Sequence, residues 1–425
     1  MNSSASSSDK RIDVSDYDLF AFGDSLSDIG RLFSLTQGLI PPSPPYFEGR
    51  ASNGPVAVEI LANQLGVNHS LATNFATSGA LTSQENNLDT NLIQFGGLLT
   101  QIEQFTQQAD ALGADANDLY FIWAGGNDFQ ELAQNPNLDV ELAVAQAVAN
   151  IATAVTSLAE LGAQDIVVAL SPNIGRAPSL SQTVPLDIST TITIAFNTVL
   201  TDTLTDLEAS LGGTNLVLVD LFTIGEAIAQ NPADFGFTNI EDAYLSESPP
   251  VDPNTYLYWD DLHPTTAGHS ILAETFYDSL VTDINNGRTF VGTDTANTLV
   301  GFGGNDTLRG KGNDDSLIGN TGGDRLVGNR GDDILDGGLG NDHYIGGKGA
   351  DQFVLRLGEG ADVIRALRLR QGDQIILADG LTFGDLTIDR FRRKGARLSV
   401  DGEELAVVRS TSLSAINTAD AFVEI

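Results

Sequence analysis

The sequence predicts two kinds of structure in tandem: an α/β domain with a doubly wound parallel sheet flanked by helices, then an all-β parallel roll with a β-rich C-terminal cap. Two observations carry this. From about Tyr17 to Asn285 short apolar runs alternate with long amphipathic ones, the pattern of βαβ units around a parallel sheet. From Gly292 the texture changes to Gly, Asp and Asn with an apolar residue every nine positions, which signals a repeat architecture. The expected boundaries are 1–16 for a disordered tail, 17–287 for the α/β domain, 288–354 for the roll and 355–425 for the cap.

In the first region the candidate strands are Tyr17–Phe22, Leu71–Phe75, Leu119–Ala124, Ile166–Leu170 and Leu216–Val219. Between them Leu98–Leu112, Val140–Leu161 and Ile188–Leu211 have apolar residues three and four apart and read as helices. The repeats run in frame from Gly292 to Val354 as GTDTANTLV, GFGGNDTLR, GKGNDDSLI, GNTGGDRLV, GNRGDDILD, GGLGNDHYI and GGKGADQFV. Beyond them Gln374–Leu377, Arg397–Val400 and Leu405–Val408 read as strands, and Arg390–Arg397 is a basic cluster in an otherwise acidic chain.

The 425 residues allow two or three domains, and 41% hydrophobic content is ordinary for packed cores. A formal net charge of −36 argues against nucleic acid as a partner, because a phosphate backbone needs basic neutralisation, and suits cations instead. With 0 Cys, disulfides and thiolate metal sites are excluded. Met1–Asp16 is rich in Ser and Asp without a basic stretch followed by an apolar one, so no Sec-type signal peptide is expected. No apolar run near the length needed to span a bilayer is expected either.

The catalytic candidates follow from what ester chemistry needs. A hydroxyl is a weak nucleophile until a base takes its proton, and the tetrahedral intermediate needs hydrogen-bond donors. Ser25, in Phe22-Gly23-Asp24-Ser25-Leu26-Ser27-Asp28, falls at the end of the first strand, where an open α/β sheet exposes its site. Of the 4 histidines, His69 precedes an inner strand, His343 faces outward from a repeat and His269 sits in a helix. His263 remains, and Asp260 three residues before it lets one short loop supply base and orienting acid. Gly268-His269-Ser270-Ile271-Leu272 mimics a nucleophile elbow but lacks its last glycine and a preceding strand. Asp24 and Asp28 read as hydrogen-bonding members of the turn, and Asp261 as a bystander.

Gly23-Asp24-Ser25-Leu26 followed by Asp260-x-x-His263 resembles the GDSL, or SGNH, hydrolases. Asn74-Phe75-Ala76-Thr77-Ser78-Gly79-Ala80 and Gly125-Gly126-Asn127-Asp128 are similar to that family's second and third blocks and fall in the expected order. The resemblance implies an SGNH-hydrolase fold, a Ser25–His263–Asp260 triad, and an oxyanion hole from Ser25 N–H, Gly79 N–H and the Asn127 side chain. It implies no cofactor for catalysis. Tyr46-Phe47-Glu48-Gly49-Arg50-Ala51-Ser52-Asn53-Gly54 is similar to a stretch of the family's longer esterases and lipases, and Tyr46 and Phe47 are candidates for an acyl pocket or for packing the loop.

In the nonapeptides position one is always Gly and position eight is apolar: Leu299, Leu308, Leu317, Leu326, Leu335, Tyr344 and Phe353. Position six is Asp306, Asp315, Asp324, Asp333, Asp342 and Asp351 after Asn297 in the first unit. Stacked coils of two nonapeptides bury position eight and bring carboxylates together along each edge, where like charges require a cation; oxygen ligands select Ca²⁺. The pattern resembles the repeats-in-toxin β-roll, which implies a structural Ca²⁺ role and a type I secretion apparatus reading an uncleaved C-terminal signal, here Ala421-Phe422-Val423-Glu424-Ile425. The expected protein is a secreted esterase or lipase acting on an ester or lipid substrate. The competing expectations are a phospholipase or haemolysin-like acylhydrolase acting on membrane lipids, and a catalytically vestigial Ca²⁺-dependent surface protein.

Overall fold

The computed structural model describes residues 18–116, 118–134, 138–211, 214–247, 251–282, 287, 289–301, 303–365, 367–392 and 395–424. The expected tail, 1–16, lies outside the described residues. The chain forms two compact units, Tyr17–Ser279 and Leu280–Ile425.

The first unit begins with strand β1 (Leu19–Gly23), helices α1 (Arg31–Leu35), α2 (Ala57–Leu65), α3 (Leu98–Thr106) and α4 (Ala109–Leu112), and strand β2 (Leu119–Trp123). It continues with α5 (Gly126–Gln134), α6 (Val140–Glu160), β3 (Asp165–Leu170), α7 (Pro178–Ser181), α8 (Leu186–Glu208), β4 (Asn215–Asp220) and α9 (Leu221–Gln230). A short pair, β5 (Asn239–Ala243) and β6 (Tyr256–Tyr258), brackets α10 (Tyr244–Glu247), and α11 (Thr266–Thr282) closes it.

Strands β1 to β4 form one parallel sheet in sequential order. Their side chains are buried on both faces, which is why they read as unbroken apolar runs rather than alternating ones. One face packs Phe20, Phe22, Tyr120 and Ile166 against Phe105 of α3, Ile151 and Val155 of α6 and Phe196 and Leu200 of α8. On the other, Phe121 and Trp123 meet Phe276 of α11 edge-on at 4.8 and 5.5 Å.

The strand expected at Leu71–Phe75 is not formed. The free edge of β1 is nevertheless paired, with Leu19 N–H donating to Asn68 O, Ala21 N–H to Thr73 O and Phe75 N–H to Ala21 O. Between these points the chain leaves the ladder in a turn, because Thr73 Oγ1 accepts the Ser70 N–H and Thr73 and Asn74 N–H donate to Ser70 O. Short hydroxyl side chains compete with sheet hydrogen bonds in this way. The path still reverses at β1, so the sheet is doubly wound with its switch point where Ser25 lies.

Helix α6 departs from the expectation that no segment could span a bilayer: it is long and apolar enough to do so by length and composition alone. Its Val144, Ala147, Val148, Ile151, Ala154, Val155 and Leu158 are buried in the core of the unit. Its apolar run between Glu141 and Glu160 therefore reflects packing onto the sheet.

The second unit is a two-sheet roll. Its strands are β7 (Thr289–Val291), β8 (Thr298–Val300), β9 (Thr307–Arg309), β10 (Ser316–Ile318), β11 (Arg325–Arg330), β12 (Ile334–Asp336), β13 (His343–Lys348) and β14 (Gln352–Leu355). They are followed by β15 (Asp362–Arg365), β16 (Gln374–Leu377), β17 (Thr387–Arg390), β18 (Gly395–Val400), β19 (Glu403–Arg409), the short helix α12 (Leu413–Ile416) and β20 (Phe422–Glu424). Alternate strands join alternate sheets, and partners are two nonapeptides apart: Leu317 faces Leu335, and Leu326 faces Tyr344. All seven position-eight residues are between 0% and 1% exposed and form one core.

The expected cap is not a separate layer. β15, β16, β19 and β20 continue both sheets in parallel, and Ile364, Ile375, Leu398, Val408 and Phe422 enter the same core as Leu299 to Phe353. Only β17, β18 and β19 run antiparallel. The nonapeptide period ends at Val354, but the coil continues with longer turns.

Leu326→Ala is expected to destabilise the roll by about 2–5 kcal/mol, because the side chain is fully enclosed and its loss leaves a cavity. Denaturant unfolding of the intact chain in Ca²⁺ measures it; a change below about 1 kcal/mol would mean that the roll core is not packed as described.

Candidate active site

β1 ends at Gly23, whose φ of 140° and close approach to Trp123 O leave no room for a Cβ. Its N–H donates to Gln101 Oε1 and its carbonyl accepts from Gln101 Nε2, both at 2.8 Å. The chain then turns sharply, with Ser27 and Asp28 N–H donating to Asp24 O and Asp24 Oδ1 accepting the Leu26 N–H. Ser25 sits on this turn, 6% exposed.

The first three predicted residues come together. Ser25 Oγ is 2.8 Å from His263 Nε2, and His263 Nδ1 is 2.9 Å from both Asp260 oxygens. Asp260 Oδ1 also accepts the backbone N–H groups of Leu262 and His263 at 2.9 and 2.7 Å. Burial works to raise the Asp260 pKa, but the His263 charge and these hydrogen bonds outweigh it and hold it near 2. For His263 burial favours the neutral ring, yet the Asp260 carboxylate, aided by Asp24, raises its pKa above the ordinary 6.5. Asp24 itself is pushed up to about 7, chiefly by burial.

A fourth residue joins them: Tyr46 Oη donates to Asp260 Oδ2 at 2.8 Å. Its loop is fastened to the one carrying the Asp/His pair, with Ser52 Oγ donating to Pro264 O and Asn53 Oδ1 accepting the Thr266 N–H. Arg50 grips Glu59 of α2 with two nitrogens. The sequence reading placed Tyr46 and Phe47 in an acyl pocket or loop packing. Neither lines the cavity; Phe47 is 37% exposed under the Arg50 guanidinium, and Tyr46 turns to Asp260. The cause is distance in sequence: nothing local to Tyr46 reveals a partner more than two hundred residues away.

Carboxylates tie the second motif block to the nucleophile turn and the third block to the segment that follows the second. Asp28 Oδ2 accepts both the N–H and the hydroxyl of Ser78 at 2.9 Å, beside Gly79, and Asn74 Nδ2 donates to Ser27 O. Asp128 accepts the Thr82 N–H and hydroxyl. Asn127 lines the cavity with Ser25 and uses one Nδ2 hydrogen on Ala80 O at 2.9 Å, which leaves its second hydrogen for another acceptor. Gly79 does not line the cavity.

The cavity measures about 510 Å³. Ser25, Asn127 and His263 line it together with Ile174, Leu186, Leu221, Ile228, Leu257 and Leu272. Sequence reasoning missed these apolar residues, which come from helices and loops far apart in the chain. Gln101 was missed too, although a glutamine among Leu98, Ile102 and Phe105 on the buried face of α3 is a legible signal.

The other histidines stay apart from Ser25. His269 is fully buried, its Nδ1 accepts the Ala57 N–H, and burial drops its pKa to about 3. His69 bonds Leu19 O through Nδ1. Ser270 is exposed on α11 and donates to Thr266 O.

In the roll the position-six aspartates form two ladders. Asp324 Oδ1 accepts the Asp306 N–H, Asp333 Oδ1 the Asp315 N–H, Asp342 Oδ1 the Asp324 N–H and Asp351 Oδ1 the Asp333 N–H. Asp362 and Asp373, outside the repeats, extend the ladders by accepting from Asp342 and Asp351. The second oxygens of Asp315, Asp324, Asp333, Asp342 and Asp351 are buried without a hydrogen-bond donor among the described residues. Burial raises these carboxyls into a range of about 6 to 8. No three acidic or histidine side chains converge among the described residues, so a cation here would complete its shell with backbone carbonyls, as hard oxygen-seeking Ca²⁺ does.

A parallel sheet with a serine at the switch point, hydrogen-bonded to a histidine–aspartate pair and open to an apolar cavity, defines the class of α/β hydrolytic enzymes. Residues 19–276 match the family model of GDSL-like lipases and acylhydrolases, and the chain belongs to that family. Residues 287–317 and 318–353 match the RTX calcium-binding nonapeptide repeat. The first region is 27% identical over 314 residues to phosphatidylcholine-sterol acyltransferase of Aeromonas hydrophila, covering 61% of this chain and 89% of that one. It is 26% identical over 280 residues to thermolabile hemolysin of Vibrio parahaemolyticus, covering 61% and 62%. It is 28% identical over 310 residues to esterase EstA of Pseudomonas aeruginosa, covering 62% and 46%.

Position-one glycines abut the orphan oxygens: a Cβ on Gly328 would collide with the Asp333 carboxylate. Gly328→Ala is expected to raise the Ca²⁺ concentration needed for β-roll formation severalfold, read by circular dichroism during titration. An unchanged midpoint would remove Asp333 from the calcium ligands.

Proposed function

We propose that the first unit is a carboxylic ester hydrolase that works through an acyl-enzyme, with Ser25 as nucleophile, His263 as general base and Asp260 as its orienting acid. The observation that carries it is the unbroken set of contacts from Ser25 Oγ through His263 to Asp260, each 2.8 or 2.9 Å. As Ser25 Oγ attacks the ester carbonyl, its proton passes to His263 Nε2, and the Asp260 carboxylate stabilises the imidazolium without being protonated. The carbonyl oxygen becomes an oxyanion facing the Ser25 N–H and the free Nδ2 hydrogen of Asn127, the two expected donors that line the cavity. His263 returns the proton to the leaving alcohol, then takes one from water, which cleaves the acyl-enzyme and regenerates Ser25. The acyl chain occupies the apolar cavity. Tyr46 steadies the Asp260 carboxylate.

The apolar cavity also favours a second reading within the same chemistry, attack on the acyl groups of membrane phospholipids. The names of the Aeromonas and Vibrio relatives accord with it. In the roll, Asp306, Asp315, Asp324, Asp333, Asp342 and Asp351 are proposed to hold structural Ca²⁺, with Asp362 and Asp373 continuing the set. We place the protein outside the cell, delivered by a type I apparatus, with the roll folding where Ca²⁺ is plentiful.

Ser25→Ala is expected to lower kcat by on the order of 10⁴-fold or more across an ester series from acetyl to palmitoyl and phosphatidylcholine. Failure of a fluorophosphonate probe to label Ser25 in the wild type would favour a vestigial enzyme. The same series identifies the preferred acyl length.

The pH dependence has a definite sign. His263 must be neutral to accept the proton, so kcat/KM falls as pH drops through its raised pKa. Asp260→Asn removes the charge that raises it, so the acid limb moves to lower pH while kcat falls. Tyr46→Phe removes a donor that shares the Asp260 charge, so the limb moves to higher pH and kcat drops about tenfold. A pH–rate profile for each variant reads the direction; an unmoved limb in both would detach Asp260 and Tyr46 from the base.

A further inference from the structure

The chain's cations are unevenly placed. Arg31, Arg50 and Arg176 are the only Lys or Arg residues between Tyr17 and Ser279, in a protein with 21 of them. Most of the others lie in the roll, and a subset shares one face. Leu308, Leu326, Tyr344, Ile364, Val408 and Leu398 point into the roll core, so their strand neighbours point out. On that outer face six adjacent strands each present one basic side chain: Arg309 on β9, Arg325 on β11, His343 on β13, Arg365 on β15, Arg409 on β19 and Arg397 on β18. Arg325 stands directly beside His343, and Arg365 directly beside Arg409.

Four of these cations are uncompensated. Arg397 pairs with Glu404 at 2.6 Å, but Arg309, Arg325, Arg365 and Arg409 make no ion pair among the described residues. Like charges on neighbouring strands repel, so this row costs stability and the fold maintains it. The register sets them in two adjacent files, Arg325, His343 and Arg397 in one and Arg309, Arg365 and Arg409 in the next, so that with strands about 4.8 Å apart they form a band about 24 Å long. Its flanking apolar side chains, Val327, Ile345 and Val363, are short and half-buried, and none of the exposed large hydrophobic residues lies on β9 to β19. The exposed large hydrophobic on this sheet face is Val291 of the edge strand β7, beside Arg309, a single side chain rather than a patch to seat in a bilayer, and the charge forms a band across the strands.

We propose that the outer face of the eight-stranded sheet is a binding track for a linear acidic polysaccharide. A polyuronate carries one carboxylate per ring at a repeat comparable to the strand spacing, and arginine forks pair with carboxylates in two-point contacts. Such a track would hold the acidic esterase unit beside a surface polymer without involving Ser25.

The test uses the full chain in Ca²⁺ and a fluorescently labelled galacturonate octamer, followed by anisotropy. Saturable binding that weakens as salt rises is expected, with no binding of the neutral galactose octamer. Arg365→Gln with Arg409→Gln should weaken it about tenfold or more, and the corresponding Lys variants should retain most of it. The single Gln variants, each with smaller losses, keep the test valid if the double variant fails to fold. No octamer binding at low salt, equal binding by the Gln variants, or selective binding to phosphatidylglycerol vesicles or oligothymidylate would overturn the proposal. Ester hydrolysis by all variants should stay at the wild-type rate.

Discussion

Buried carboxylates held by N–H and O–H donors organise both units. Asp28 is fully enclosed, and its two oxygens accept from the N–H groups of Gly30, Arg31, Leu32 and Ser78 and from the Ser78 hydroxyl. That one side chain sets the start of α1 and joins the nucleophile turn to the segment carrying Gly79. Asp128 does the same for Thr82, and Asp260 for its own loop, His263 and Tyr46. In a unit with only three arginines, donors from turns take the part that cations play elsewhere. Each carboxylate is thereby fixed in direction as well as in charge, which a point cation would not achieve.

The roll applies the same rule with one half missing. Asp324, Asp333, Asp342 and Asp351 each spend one oxygen on a backbone N–H of the coil before, and the other has no hydrogen-bond donor among the described residues. Like-charged, buried carboxylates stacked along an edge disfavour the compact state unless they are neutralised. A cation between them would remove this repulsion and tie its own binding to folding of the roll. The glycines serve the same geometry, and where they are replaced the backbone conforms: Lys311 and Asn313 adopt left-handed φ values of 80° and 73°.

Much of this was legible in linear order. The alternation of apolar runs gave β1 to β4, and the nine-residue register gave the coil, its core and most of its ladder residues. Four short motifs in the right order located Ser25, Asp260 and His263. The failures have physical causes. Leu71–Phe75 has strand composition, but the hydroxyls of Ser70 and Thr73 build a turn there. Asp362 and Asp373 occupy ladder positions after the period has been lost, because their coils are longer by two and four residues. α6 is apolar between Glu141 and Glu160 because one face of it packs in the core.

What the sequence determined by itself was therefore everything set by local periodicity or by a short motif: the two architectures, their order, the serine, histidine and aspartate proposed for catalysis, and the calcium-type repeat. These depend on residues within one turn or one coil of each other. What only the tertiary structure decided was contact between distant segments: the Tyr46 hydrogen bond to Asp260, the Gln101 clasp on Gly23, the apolar cavity and the row of arginines across neighbouring strands. Such contacts are made by chain segments tens to hundreds of residues apart, and no pattern in one segment specifies its partner until the sheet and the roll have brought the two together.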